Sequence, residues 1–86
     1  MVISVVTRYA DYQLMVDARR ISPPLRGRWH FAGELRRVVQ LGRQGSSVDI
    51  AVPWLGDVYG ETEAEAERKT AAEVRAWLLD RDGGPG

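Results

Sequence analysis

From Gly60 to Leu79 the chain reads Gly-Glu-Thr-Glu-Ala-Glu-Ala-Glu-Arg-Lys-Thr-Ala-Ala-Glu-Val-Arg-Ala-Trp-Leu-Leu, and no other stretch encodes a helix so plainly. Thr62 and Glu65 have the spacing of a capping box, in which the hydroxyl accepts from the Glu65 amide and the carboxylate reaches back. Glu61, Glu63, Glu65 and Glu67 crowd the positive end of the helix dipole, while Arg75 and Arg81 stand toward the negative end. Glu65, Lys69 and Glu73 recur every four residues, the spacing of a solvent-facing row of ion pairs. At about 100° per residue, Ala64, Ala71, Val74 and Leu78 fall on one stripe, flanked by Trp77 and Leu79. The small residues at its start let the helix lie close to whatever it covers. Gly83, Gly84 and Pro85 end it, and residues 83–86 read as a flexible Gly/Pro tail.

Upstream of the helix the pattern has period two, broken by Gly and Pro. Val2 to Val6 is a short β-branched run that suits a strand, although whether a first strand at residues 2–8 joins the sheet is left open. Tyr12, Leu14, Val16 and Ala18 alternate with Gln13, Met15, Asp17 and Arg19 in a half-buried strand. Ser22, Pro23, Pro24 and Gly27 are expected to stop it. Trp29, Phe31, Gly33 and Leu35 share the core face of the next strand, and His30, Ala32, Glu34 and Arg36 share the other. Gly33 in mid-strand marks either a bulge or a close approach of the helix. Val38 and Val39 break the alternation. Val48, Ile50 and Val52 form a last strand that Pro53 ends. The expected fold is α+β: an antiparallel three- or four-stranded β-meander with one C-terminal α-helix packed on one face, a single domain over residues 1–82.

With 86 residues there is room for one core. The chain has no cysteine, so neither a disulfide nor a thiolate metal site supports it. No apolar run reaches the ~18 residues of a membrane helix, and Met1 to Val6 lacks the basic start of a signal peptide; a cytoplasmic protein without membrane partners is expected. The formal net charge of zero hides an asymmetry: eight arginines face three acids in residues 1–43, and four basic residues face nine acids in 44–86. Such a split favours internal pairing or contacts between copies.

One helix leaves the second face of the sheet uncovered, presenting Gln13, Met15, Asp17, Arg19, His30, Ala32, Glu34, Arg36, Asp49 and Ala51. A solvated face is the plain reading. The sharper one is a protein-partner or homodimer surface centred on Gln13, Met15, His30, Ala32 and Arg36, since soft and small side chains suit pairing. Arg26, Arg28, Arg36, Arg37 and Arg43 form the alternative, a set of phosphate contacts interleaved with aromatic residues. Placement of Trp29 and Phe31 in the core and the neutral chain argue against nucleic acid. Catalysis lacks a constellation. His30 is the only histidine, and Glu34, four strand residues away, stands about 13 Å from it. No catalytic residue, metal ligand or cofactor is therefore expected, and the chain is read as no enzyme. Gly42 and Gly45 are too few for a phosphate loop. Pro53, Trp54, Leu55 and Gly56 read as a core anchor, with a ligand groove under Trp54 as the lesser alternative.

Pro53, Leu55, Gly56, Gly60 and Thr62, followed by Glu65, Ala66 and a helix through Leu78, resemble the small antitoxin domain of HicB type. There, a strand ends in Pro-x-Leu, a Gly follows, and Gly-x-Thr opens a helix rich in Glu and Ala. The likeness covers the C-terminal third; the family's second proline and its cysteine have no counterpart. It implies an antitoxin-like inhibitor of a toxin partner. As a whole the chain is similar to short uncharacterised bacterial proteins built as a β-meander plus an Ala/Glu-rich helix ending in Ala-x-Trp-Leu, here Ala76, Trp77 and Leu78. That likeness implies a fold and no activity.

Overall fold

Strand β1 (Val2–Val6) pairs antiparallel with β2 (Asp11–Leu25), and β2 pairs with β3 (Trp29–Leu41). The short strands β4 (Ser47–Asp49) and β5 (Tyr59–Gly60) both lie along the far side of β3, one at each end, and helix α1 (Glu63–Arg81) closes the chain. This computed structural model describes residues 1–25 and 29–86, and for residues 22–25, 29 and 43 the backbone alone. The expected α+β meander with one covering helix is therefore present, the first strand joins the sheet, and a fifth strand is added.

The core sits between α1 and one face of the sheet. Val5, Tyr12, Leu14, Val16 and Val38 meet Ala71, Val74 and Leu78, with Ile3, Leu35, Ile50, Val52, Leu55 and Trp77 packed around them. Burying each of Leu14, Val74 and Leu78 contributes about 1.5–3 kcal/mol. Thr62 caps the helix, its hydroxyl accepting from the Glu65 amide at 3.1 Å. The Glu65 carboxylate reaches the Glu61 amide. At the other end Gly84 N–H donates to the Leu79 carbonyl at 2.8 Å, which requires the positive φ of +83° at Gly83.

The buried stripe of α1 is Ala66, Thr70, Ala71, Val74 and Leu78, and Ala64 is exposed. The expected stripe is thus correct from Ala71 onward and wrong in its first turn. The reason is Thr70, a polar residue that can be buried because its hydroxyl donates to the Ala66 carbonyl of its own helix at 2.9 Å. Thr70 and Ala66 sit on Gly33: a methyl group there would stand 1.8 Å from Thr70 Oγ1 and 2.7 Å from the Ala66 carbonyl oxygen. Of the two meanings open for Gly33, close approach of the helix is the one realised.

Two departures concern the strands. β2 does not stop at Ser22 but runs on to Leu25, which pairs with Trp29, while Arg20 pairs with Phe31. Residues 21–24 thus bulge opposite a single β3 position, where Pro23 and Pro24 need no ladder donor. Sequence placed Val52 in β4, whereas the strand ends at Asp49. Ile50 still donates to the Val38 carbonyl, after which the chain leaves the sheet and rejoins it where Gly33 donates to Val58.

The first and last turns of the fold are tied together. Asp82, the C-cap of α1, accepts from the Tyr12 hydroxyl and from Thr7 Oγ1, the latter at 2.7 Å. Thr7 Oγ1 in turn accepts from the Tyr9 and Ala10 amides of the β1–β2 turn. The Gly84 carbonyl accepts from Arg8 N–H at 2.9 Å, and Pro85 bridges Thr7. Burial, then the bond to Asp82, pushes the Tyr12 hydroxyl up to about 12. Burial raises the Asp82 carboxyl, but the bonds from Tyr12 and Thr7 and the charge of Arg81 together hold it below its ordinary value.

Candidate functional site

The uncovered face is organised by one extra residue. Met15 pairs with Arg37 and Val16 with Leu35, so Arg36 is inserted into β3 without an opposite partner. This bulge explains the broken alternation at Val38 and Val39. It also turns two consecutive arginines to the same side, since a bulge resets which face the following residues occupy. Arg36 Nε bonds Asp17 at 3.0 Å and its Nη2 reaches Glu34 at 3.2 Å. Arg37 Nε bonds Asp49 at 2.6 Å.

Asp17 and Glu34 are direct cross-strand partners. Two carboxylates so placed repel. The Arg36 guanidinium lies across both, and Arg19 Nε adds a bond to Glu34 at 2.9 Å. The bulge therefore supplies the cation that makes this pairing tolerable. Next to the charged lattice, Val39 is buried on this face at 5% exposure, Met15 is half-buried, and Val2 (61%), Val6 (54%) and Leu41 are open to solvent.

Of the expected partner-face residues, Gln13, Met15, Ala32 and Arg36 come together here with Asp17, Arg19 and Glu34. His30 is exposed near the start of β3. Asp49 joins the face through β4, but Ala51 does not, because the chain has left the sheet there. Arg37 and Val39, which strict alternation hides, belong to it; the three-residue spacing from Leu35 to Val38 is the signal that finds them. Of the expected phosphate contacts, Arg36 and Arg37 are engaged with carboxylates, and the pair with Asp49 raises the Arg37 guanidinium further. Arg26, Arg28 and the Arg43 side chain lie outside the described residues.

A second feature lies on the helix side. The detour from Ile50 to Val58 opens a cleft of about 280 Å³ between β3 and α1. Leu35, Val52, Leu55 and Val74 form its apolar lining, and Trp54, Asp57 and Glu73 stand along it. Trp54 is not the core anchor expected of it: it is 81% exposed, and Leu55 packs on the core instead. Leaving an indole of roughly 200 Å² in water forgoes about 4–5 kcal/mol of burial. Gly56, with φ of +102°, makes the turn that separates Leu55, directed inward, from Asp57.

Among the described residues no group of three or more His, Asp or Glu stands close enough to hold a metal ion. No described helix is long and apolar enough to cross a membrane. No protein-family model matches the chain, and no curated protein or solved structure does.

Proposed function

We propose that the chain is a non-catalytic protein-interaction module that works through the uncovered face of its sheet, with a second copy of itself as the first partner. One observation carries this reading: the face sets exposed Val2, Val6 and Leu41 and half-buried Met15 beside arginines and carboxylates that already neutralise one another. Apolar surface with Met and Arg in its centre and little net charge suits a polypeptide better than a polyanion. A face that carries both signs also offers opposite charges to a second copy related by a two-fold rotation. An inhibitor of a toxin partner is one form this reading takes.

Sedimentation equilibrium from about 10 μM to about 1 mM tests it. The expected outcome is a mass rising toward that of a dimer, and a strictly monomeric Val2→Lys/Val6→Lys variant with an unchanged circular dichroism spectrum. A wild-type chain that remains monomeric throughout removes the self-association.

A further inference from the structure

The exposed Trp54 and the cleft beside it have no part in the sheet face. We propose that this cleft receives a basic side chain, lysine or arginine, from a partner polypeptide. Three observations converge. The first is shape and lining: about 280 Å³, walled by Leu35, Val52, Leu55 and Val74, accommodates one long aliphatic stem. The apolar walls with acids standing along them match a methylene stem that carries a cation at its tip.

The second is the indole. Trp54, at 81% exposure, is the most exposed of the large apolar residues described, so its indole is accessible to a cation. Arg81 already stacks on Trp77 at 5.5 Å to the ring centroid, whereas no cation stands over Trp54 among the described residues. The third is charge. Asp57 and Glu73 line the cleft and form no ion pair among the described residues, whereas Asp17, Glu34 and Asp49 on the sheet face are all paired. Lys69, one helical turn before Glu73, is held by Glu65 at 2.9 Å and by the Tyr59 carbonyl at 3.1 Å. The carboxylates are therefore left for a cation from outside. Methylene stem, ammonium or guanidinium over an indole, and two acids beside it together describe a lysine or arginine side chain.

The inference rests on the reading of the chain as an interaction module but uses a different surface, so a monomeric result in sedimentation leaves it standing. The test is a ¹⁵N-labelled full-length chain titrated with acetyl-Ala-Lys-Ala-amide, its arginine counterpart and a neutral norleucine counterpart to about 20 mM. Expected are shifts of the Trp54 indole N–H and the Asp57 and Val58 amides, with the norleucine peptide at least about fivefold weaker. Trp54→Ala should weaken the basic peptides by about fivefold or more, and Asp57→Asn/Glu73→Gln should erase their preference over norleucine. Unchanged spectra away from the cleft show that these variants fold. Absence of shifts, equal shifts from the neutral peptide, or undiminished binding by Trp54→Ala overturns the proposal. Butylammonium binding as tightly as the lysine peptide overturns its polypeptide source.

Discussion

The substitution Gly33→Ala separates two opposed effects whose sign the structure decides. Gly33 does not have a positive φ. At such a position alanine ordinarily stabilises a strand by about 0.5–1 kcal/mol, because it has less backbone entropy to lose. Here the new methyl would fall 1.8 Å from Thr70 Oγ1 and 2.7 Å from the Ala66 carbonyl oxygen. Thr70 is buried at 6% exposure and its β-branched side chain has few rotamers available. The carbonyl belongs to the helix backbone and moves only if α1 moves. Overpacking of this kind costs about 1–3 kcal/mol, which outweighs the entropic gain, so Gly33→Ala should destabilise by about 1–2 kcal/mol. Thr70→Ala relieves the nearer contact and leaves the carbonyl in place. The double variant should therefore recover part of the loss, with a coupling of about 1 kcal/mol. Urea unfolding of the four members of the cycle measures this. A Gly33→Ala chain as stable as the parent, or more so, would refute the close approach of α1 to β3.

Tyr12→Phe removes a buried hydrogen bond to a carboxylate and should cost about 1.5–3 kcal/mol, read from urea midpoints. The pH dependence has two limbs. Tyr12 is raised in the fold to about 12, so its contribution is full below the ordinary tyrosine range and is lost as pH climbs toward about 12. Asp82 is lowered, so its contribution is present above the ordinary carboxylate range and is lost as pH falls through the depressed value. Thermal melts of Tyr12→Phe should show both limbs flattened. Thr62→Ala should lower stability by about 1 kcal/mol through loss of the cap, with the helix otherwise retained by circular dichroism. Arg36→Ala leaves Asp17 facing Glu34, and solvent exposure limits the cost to about 0.5 kcal/mol. That loss should shrink in high salt, measured by repeating the denaturation there.

The helix was legible because independent signals agreed on it: a threonine cap, acids at one end, and an apolar period from Ala71 to Leu78. Its first turn was misread because alanine looks like core and threonine does not, whereas Thr70 meets its own hydrogen-bonding need inside the helix. The two long strands were legible from alternation, which fails only where the backbone stops obeying period two. One such place is Arg36, and strict counting there sends Arg37 to the wrong face. Another is the bulge at residues 21–24 of β2, and beyond the two long strands the detour after Ile50 is a third. Trp54 sits in an apolar stretch that resembles a strand end. Nothing local says that Leu55 rather than Trp54 turns inward, since that depends on how far the loop swings from β3 before Val58 rejoins it. The uncovered face could be foreseen from one helix and one sheet. The cleft could not, because it is the space between elements whose separation only tertiary packing sets.

The knot of Thr7, Tyr12 and Asp82 joins positions 75 and 70 residues apart in the chain. Contacts of that span are among the last to form, because their closure entropy is offset only once the intervening layers are in place. On a ribosome the opening hairpin must therefore wait, its tyrosine hydroxyl still solvated, until the final helical turn has emerged. Assembly of this fold is sealed at its seam by the end of α1, and a nascent chain arrested before Asp82 should remain loosely ordered and open to proteases.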